Sequence, residues 1–127
     1  MQFLDRINAQ SFLLLRILTG LMFSFHGVQK LFGVLSQYPA PELGSQLWLG
    51  GVIELACGLF IAIGLLTRPS AFLASGTMAV AYIQYHWKFQ FSDAFFPAIN
   101  HGEAALLYCL IFFYIACRSD DEDNDLA

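Results

Sequence analysis

Four apolar stretches fill most of this chain, and each carries ionisable residues where hydrocarbon is the natural surrounding. Arg16, His26 and Lys30 lie in the first, Glu54 in the second, His86 near the end of the third and Glu103 at the start of the fourth. A charge at the centre of a bilayer costs roughly 2.5–3.5 kcal/mol on insertion scales, so such residues face a protein interior and pair with one another. The pattern therefore restricts where function resides before it says what that function is.

Composition agrees with a membrane setting. Hydrophobic residues make up 57% of the 127 residues and charged residues only 13%, against roughly 25% charged in a soluble domain. The formal charge of -4 comes from the tail, where Asp120, Asp121, Glu122, Asp123 and Asp125 supply half of the acids. The body is close to neutral and has no basic patch, which argues against nucleic-acid binding. Cys57, Cys109 and Cys117 form no CxxC and have no partner at metal-ligand spacing, so they read as buried free thiols and no metal site is expected. No small-x-small cleavage site follows the first apolar run, which reads as a retained span.

A helix crosses hydrocarbon with about 20 residues, range roughly 17–25. Residues 12–32, 47–66, 71–87 and 100–117 meet that requirement. The fold class expected is all-α, an integral membrane bundle of four transmembrane helices over residues 1–118, followed by a disordered acidic tail at 119–127. Thr67-Arg68-Pro69-Ser70 reads as a tight turn, with Pro69 at the first position of the third helix. The segment from Phe89 to Ile99 is too rich in phenylalanine for a solvated loop and is expected in the interface or folded over the bundle. Arg6, Arg68 and Arg118 flank the spans on one side, with Arg16 one turn inside, while Lys30 and Lys88 lie on the other. The positive-inside rule then puts both termini in the cytoplasm, with Tyr38, Trp48 and Trp87 in the outer aromatic belt.

Arg16, Thr19, Phe23, His26 and Lys30 form one stripe at helical spacing. Arg16 and Lys30 are near the span ends and can snorkel; His26 is too short to do so. Gly50, Glu54 and Gly58 share a face, with the glycines expected to let another backbone come close to the carboxylate. His26 and Glu54 both sit roughly 10 Å below the outer interface, so contact between them is allowed by depth. Tyr82 and His86 share a face at the end of the third span. Asn100 and Glu103 match a capping box that starts the fourth helix. His26, Lys30, Glu54, His86, His101 and Glu103 thus all belong to the outer half, and one shared pocket opening outward is expected, with His26, Glu54 and Glu103 as candidates for proton transfer and Lys30, Tyr82, His86 and His101 for binding. Arg16, Gly50, Gly58 and Asn100 read as structural.

The segments Phe25-His26-Gly27-Val28-Gln29-Lys30-Leu31-Phe32-Gly33, Gly50-Gly51-Val52-Ile53-Glu54-Leu55, Gly64-Leu65-Leu66-Thr67-Arg68-Pro69 and Asn100-His101-Gly102-Glu103-Ala104-Ala105 give the chain a resemblance to the DoxX family of small four-helix bacterial membrane proteins. His101 departs from the usual pattern before Gly-Glu. The resemblance implies an inner-membrane location. It also implies a link to sulfur and thiol redox, since relatives include a subunit of thiosulfate:quinone oxidoreductase and membrane partners of oxidative-stress enzymes. It carries over no catalytic residues. The expected function is a redox-linked membrane subunit with no intrinsic cofactor, handling a quinone or a thiol/sulfur compound with a partner protein, in a bilayer and in a possible homo-oligomer. A small transporter-like protein and a non-catalytic membrane assembly factor are the alternatives.

Overall fold

The structure, a computed structural model, describes residues 1–118; the acidic tail lies outside the described residues. All regular structure among them is helical. A short α1 (Gln2–Arg6) leads into the long α2 (Asn8–Phe32), followed by α3 (Gln46–Ile63) and α4 (Thr67–Ala81). The last runs without a break into a six-residue π-helix, Tyr82–Trp87. A 3-10 turn (Asp93–Phe95) and a single turn α5 (Pro97–Asn100) precede α6 (Glu103–Cys117).

The helix ends follow from local chemistry. Ser45 caps α3 by accepting a hydrogen bond from the Trp48 amide at 3.2 Å. At the other end Gly64 turns left-handed at φ 80°, and Leu65 N–H donates to the Phe60 carbonyl at 2.9 Å, which is the Schellman closure that glycine permits. The chain resumes helix at Thr67, four residues earlier than the expected start at 71. Pro69 is therefore the third helical residue and not the first, still within the turn whose N–H groups lack intrahelical partners.

Two helix pairs build the interior. Where α2 crosses α3, a Cβ on Gly20 would lie 2.7 Å from the Gly58 carbonyl, and one on Gly58 would lie 2.6 Å from the Gly20 carbonyl. Gly27 packs equally closely on the backbone of Leu55 and Gly51. Small residues at these positions let the two backbones touch, which supplies the packing that drives helix association in an apolar medium. Gly58 has the role the sequence suggested, but Gly50 does not: it faces open space, and Gly51 makes the approach instead. One residue corresponds to 100° of helix rotation, which turns Gly50 toward the groove and leaves Gly51, three residues before Glu54, on the buried face with it.

The second pair joins α4 to α6 through Ala71, Ala74, Ser75 and Met78, packed with Phe112 and Ile115. Ser75 Oγ donates to the Cys109 carbonyl at 2.8 Å. Phe23 ties the pairs together, its ring 4.7 Å from that of Phe112 and 5.6 Å from that of Tyr108. All three cysteines are free; Cys57 is buried, while Cys109 is only half-buried and Cys117 is exposed, so burial does not extend to all of them.

Three arginines gather at the end where α3 stops and α6 finishes. Arg16 packs its guanidinium on Gly64, Arg68 Nε donates to the Ala116 carbonyl at 3.1 Å, and Arg118 stacks 3.8 Å over the Phe12 ring. Lys30 and Lys88 are at the other end of their helices. Of the described helices, α2 and α3 are long and apolar enough to cross a membrane, and α6 is apolar but only 15 residues long.

Candidate functional site

The end of the molecule where α2 stops and α3 starts is organised by one ion pair. Lys30, in the last turn of α2, donates from Nζ to Glu54 Oε1 at 2.7 Å. Glu54 is among the most buried polar residues, its side chain 4% exposed, while that of Lys30 is 33% exposed. A carboxylate taken out of water needs such a partner to remain charged. Lys30, and not His26, makes the contact with Glu54 that depth also allowed His26, because a lysine one turn further along the same face reaches back to Glu54. His26 is exposed and sets its ring edge-on to that of Tyr108, centroids 6.1 Å apart.

Two cavities meet at Lys30. The larger, about 470 Å³, is a groove between α3 and α4 with Lys30 and Glu54 at its inner wall and Leu49, Phe72 and Val80 along its sides. Gln46 donates to Gln84 Oε1 at 2.7 Å across its outer end. The smaller, about 250 Å³, lies under the α2–α3 loop and is lined by His26, Gln29, Lys30, Ser36 and Tyr38 among others. Lys30 and Leu47 line both, and Lys30 is the charged residue they share.

The π-helix shapes the larger groove. Its wider turn places Gln84 and Tyr85 on the groove wall, while Tyr82 and His86, their rings 6.3 Å apart, lie toward Asn100. A π-helical turn is an uncommon element that recurs at functional sites. Lys88 and Phe89, both at φ 55°, follow it in the left-handed region, an arrangement that stores strain. The aromatic segment beyond is ordered around Trp87, whose ring meets those of Phe89, Phe91 and Phe95.

The remaining expected site residues do not join the cavities. His86 Nδ1 is 3.2 Å from the Asn100 carbonyl. Asn100 Nδ2 donates to Tyr82 Oη at 3.1 Å and to the Ala94 carbonyl at 3.0 Å. Asn100 is the last residue of α5 and not the N-cap of α6; that position belongs to Gly102, whose amide donates to Asn100 Oδ1 at 2.8 Å. His101, at φ 61°, places a left-handed residue between Asn100 and the helix and so breaks the capping-box geometry. His101 and Glu103 are exposed. The single shared pocket thus divides into the paired cavities at Lys30 and a separate knot around Asn100. Among the described residues no three His, Cys, Asp or Glu side chains are placed to hold a metal ion.

Sequence reasoning passed over Gln46, Gln84 and Tyr108. Tyr108 is buried with no hydrogen-bond partner for its hydroxyl, as is Glu54 Oε2, and the phenol lies within the electrostatic reach of Glu54. The signal available for Gln84 and Tyr108 was a polar group inside an apolar run.

A family model described as DoxX matches residues 11–87. The chain belongs to the DoxX family. An uncharacterized protein of Haemophilus influenzae is 36% identical to it over 121 residues, covering 85% of this chain and 87% of that protein. No solved structure matches. DoxX is a membrane family, which accords with the two apolar helices long enough to span. The DoxX match contains Lys30, Glu54, the π-helix and the walls of both cavities, whereas Tyr108 and Glu103 lie outside it.

Gly50 and Gly76 line the larger groove, and a Cβ on either meets nothing within 4 Å. Gly50→Ala and Gly76→Ala each stabilise the fold by about 0.5–1 kcal/mol, because alanine loses less backbone entropy in a helix. A rise in melting temperature followed by circular dichroism in detergent checks this; a fall shows that the groove closes in solution.

Proposed function

We propose that this DoxX protein is a four-span protein of the bacterial inner membrane, with both termini cytoplasmic, that serves as a redox-linked subunit binding a quinone-like or thiol/sulfur substrate beside Lys30 and Glu54. The observation that carries the reading is the part-buried Lys30–Glu54 pair on the wall of a groove of about 470 Å³. That volume falls in the range of small-molecule sites, and its lining follows their usual composition, mostly apolar with a few polar groups. A carboxylate and an ammonium held together can exchange a proton with a substrate whose reduction or oxidation moves protons as well as electrons. The chain has no nucleotide fingerprint, so electrons come from the substrate or a partner protein.

The topology rests on the arginines clustered at one end and on the unbroken run of α4 into the π-helix, which gives the third span its length. Large apolar side chains such as Leu14, Leu18, Phe72, Leu110 and Phe113 are exposed on the outer faces, as lipid contact requires.

Protein purified in mild detergent and extracted with organic solvent yields bound quinone in near-stoichiometric amount, and Glu54→Gln and Gly76→Leu lose it while remaining helical. Absence of bound quinone, together with no thiol-dependent quinone reduction by the intact protein, defeats the redox reading. Substrate uptake into proteoliposomes without an electron acceptor then points to a transporter-like protein. A Glu54→Gln variant altered in stability alone points to an assembly factor.

A further inference from the structure

The smaller cavity has a composition the groove lacks. Five of its side chains, His26, Gln29, Lys30, Ser36 and Tyr38, can donate hydrogen bonds, and the rest of its wall is proline and leucine. No carboxylate lines it. Three of the donors come from the last turns of α2, where spacings of three and four residues put them on one face. The others come from the loop that Gly33 starts by ending α2 in the left-handed conformation.

These donors retain free hydrogens. Gln29 Nε2 uses one on the Leu35 carbonyl at 3.0 Å and keeps the other. Ser36 Oγ accepts from the Tyr38 amide at 3.1 Å, which leaves its own hydrogen available. Lys30 Nζ has three, of which one goes to Glu54 Oε1. The chamber therefore has a positive charge and converging donors with no carboxylate among its lining side chains to answer them, which is the complement of an anion. Its volume of about 250 Å³ limits that anion to a small one.

We propose that this chamber is a binding site for a small oxyanion, and that the anion and Glu54 compete for the Lys30 ammonium. Lys30 lies between the two cavities and is a third exposed. Its flexible stem allows the charged end to turn toward either side. Occupation of the chamber draws the ammonium from Glu54, so what happens on the water-facing side is felt at the buried carboxylate of the groove. The site stands whether or not the groove handles redox substrates.

The competition has a distinctive signature. Calorimetric titration of the full chain in lipid-free detergent with sulfate, at constant ionic strength in gluconate, shows saturable binding. Glu54→Gln removes the competitor and tightens sulfate binding about tenfold, the equivalent of one charge-assisted hydrogen bond released to the ligand. The double variant K30Q/E54Q, which keeps a neutral amide pair and so avoids an unpaired buried carboxylate, weakens sulfate binding by about tenfold or more below wild type. A phosphate borne on a lipid head shares this chemistry, and added phosphatidylglycerol that raises the apparent sulfate Kd competitively assigns the chamber to the lipid phosphate. Glu54→Gln binding sulfate no more tightly than wild type overturns the proposal, as does a double variant that binds like wild type or heat that tracks ionic strength alone.

Discussion

Lys30→Gln lowers stability by about 3 kcal/mol, while Lys30→Gln combined with Glu54→Gln restores most of the loss. The reason is an asymmetry of buried ion pairs. Removing one partner leaves an uncompensated charge at a cost of about 3–5 kcal/mol, whereas replacing both is often close to neutral. The lower end applies here because Lys30 is 33% exposed and part of its stabilising field is screened, while the Glu54 side chain is only 4% exposed. Glu54→Gln alone costs less, about 1–2 kcal/mol, since the freed ammonium can turn to the outer chamber and its donor-lined, water-facing space. A double-mutant cycle on unfolding free energies in detergent measures the coupling. Single effects that simply add in the double variant mean that the 2.7 Å contact carries no energy.

The second large effect is at the α2–α3 crossing. Gly27→Ala destabilises by about 3 kcal/mol, the upper part of the range for overpacking, because the added carbon meets backbone and not a side chain that can swing aside. Its contacts are the Leu55 amide nitrogen and the Gly51 carbonyl, the latter at 2.8 Å. Relief requires α2 and α3 to part, and the same movement lengthens the Lys30–Glu54 contact one turn away. Thermal unfolding of Gly27→Ala beside Gly50→Ala, both glycine-to-alanine changes in helix interiors, separates packing from propensity: the two shift in opposite directions. Equal shifts show that the helices do not touch at Gly27.

Much of the fold was legible because apolar length and end signals are local. The four apolar runs fall on α2, α3, α4 with its π-helical continuation, and α6, although the second run was carried to residue 66, past the Gly64 that ends α3. That Lys30 and Glu54 lie toward the same end of the bundle was legible as well, from depth along each helix. Less legible was anything that depends on rotation about a helix axis. Gly50 and Gly51 are adjacent in sequence yet one faces a groove and the other the Leu31 and Lys30 side chains of α2. His26 and Lys30 are one turn apart on the same stripe, and only side-chain length and the tilt of α3 decide which meets Glu54. The Asn100–Glu103 spacing satisfied a capping rule, but the left-handed His101 diverted it.

By itself, then, the sequence determined an all-helical DoxX chain with Glu54 inside an apolar run, where a charge costs several kcal/mol unless a protein partner meets it. Tertiary structure decided the pairing of Lys30 with Glu54, the opening of a separate donor-lined chamber on the far side of Lys30, and the isolation of His86 and Asn100 from both. Those outcomes turn on how closely two helices approach and on where a π-helix widens a turn. Both are set by contacts between residues distant in the chain, which no local pattern encodes.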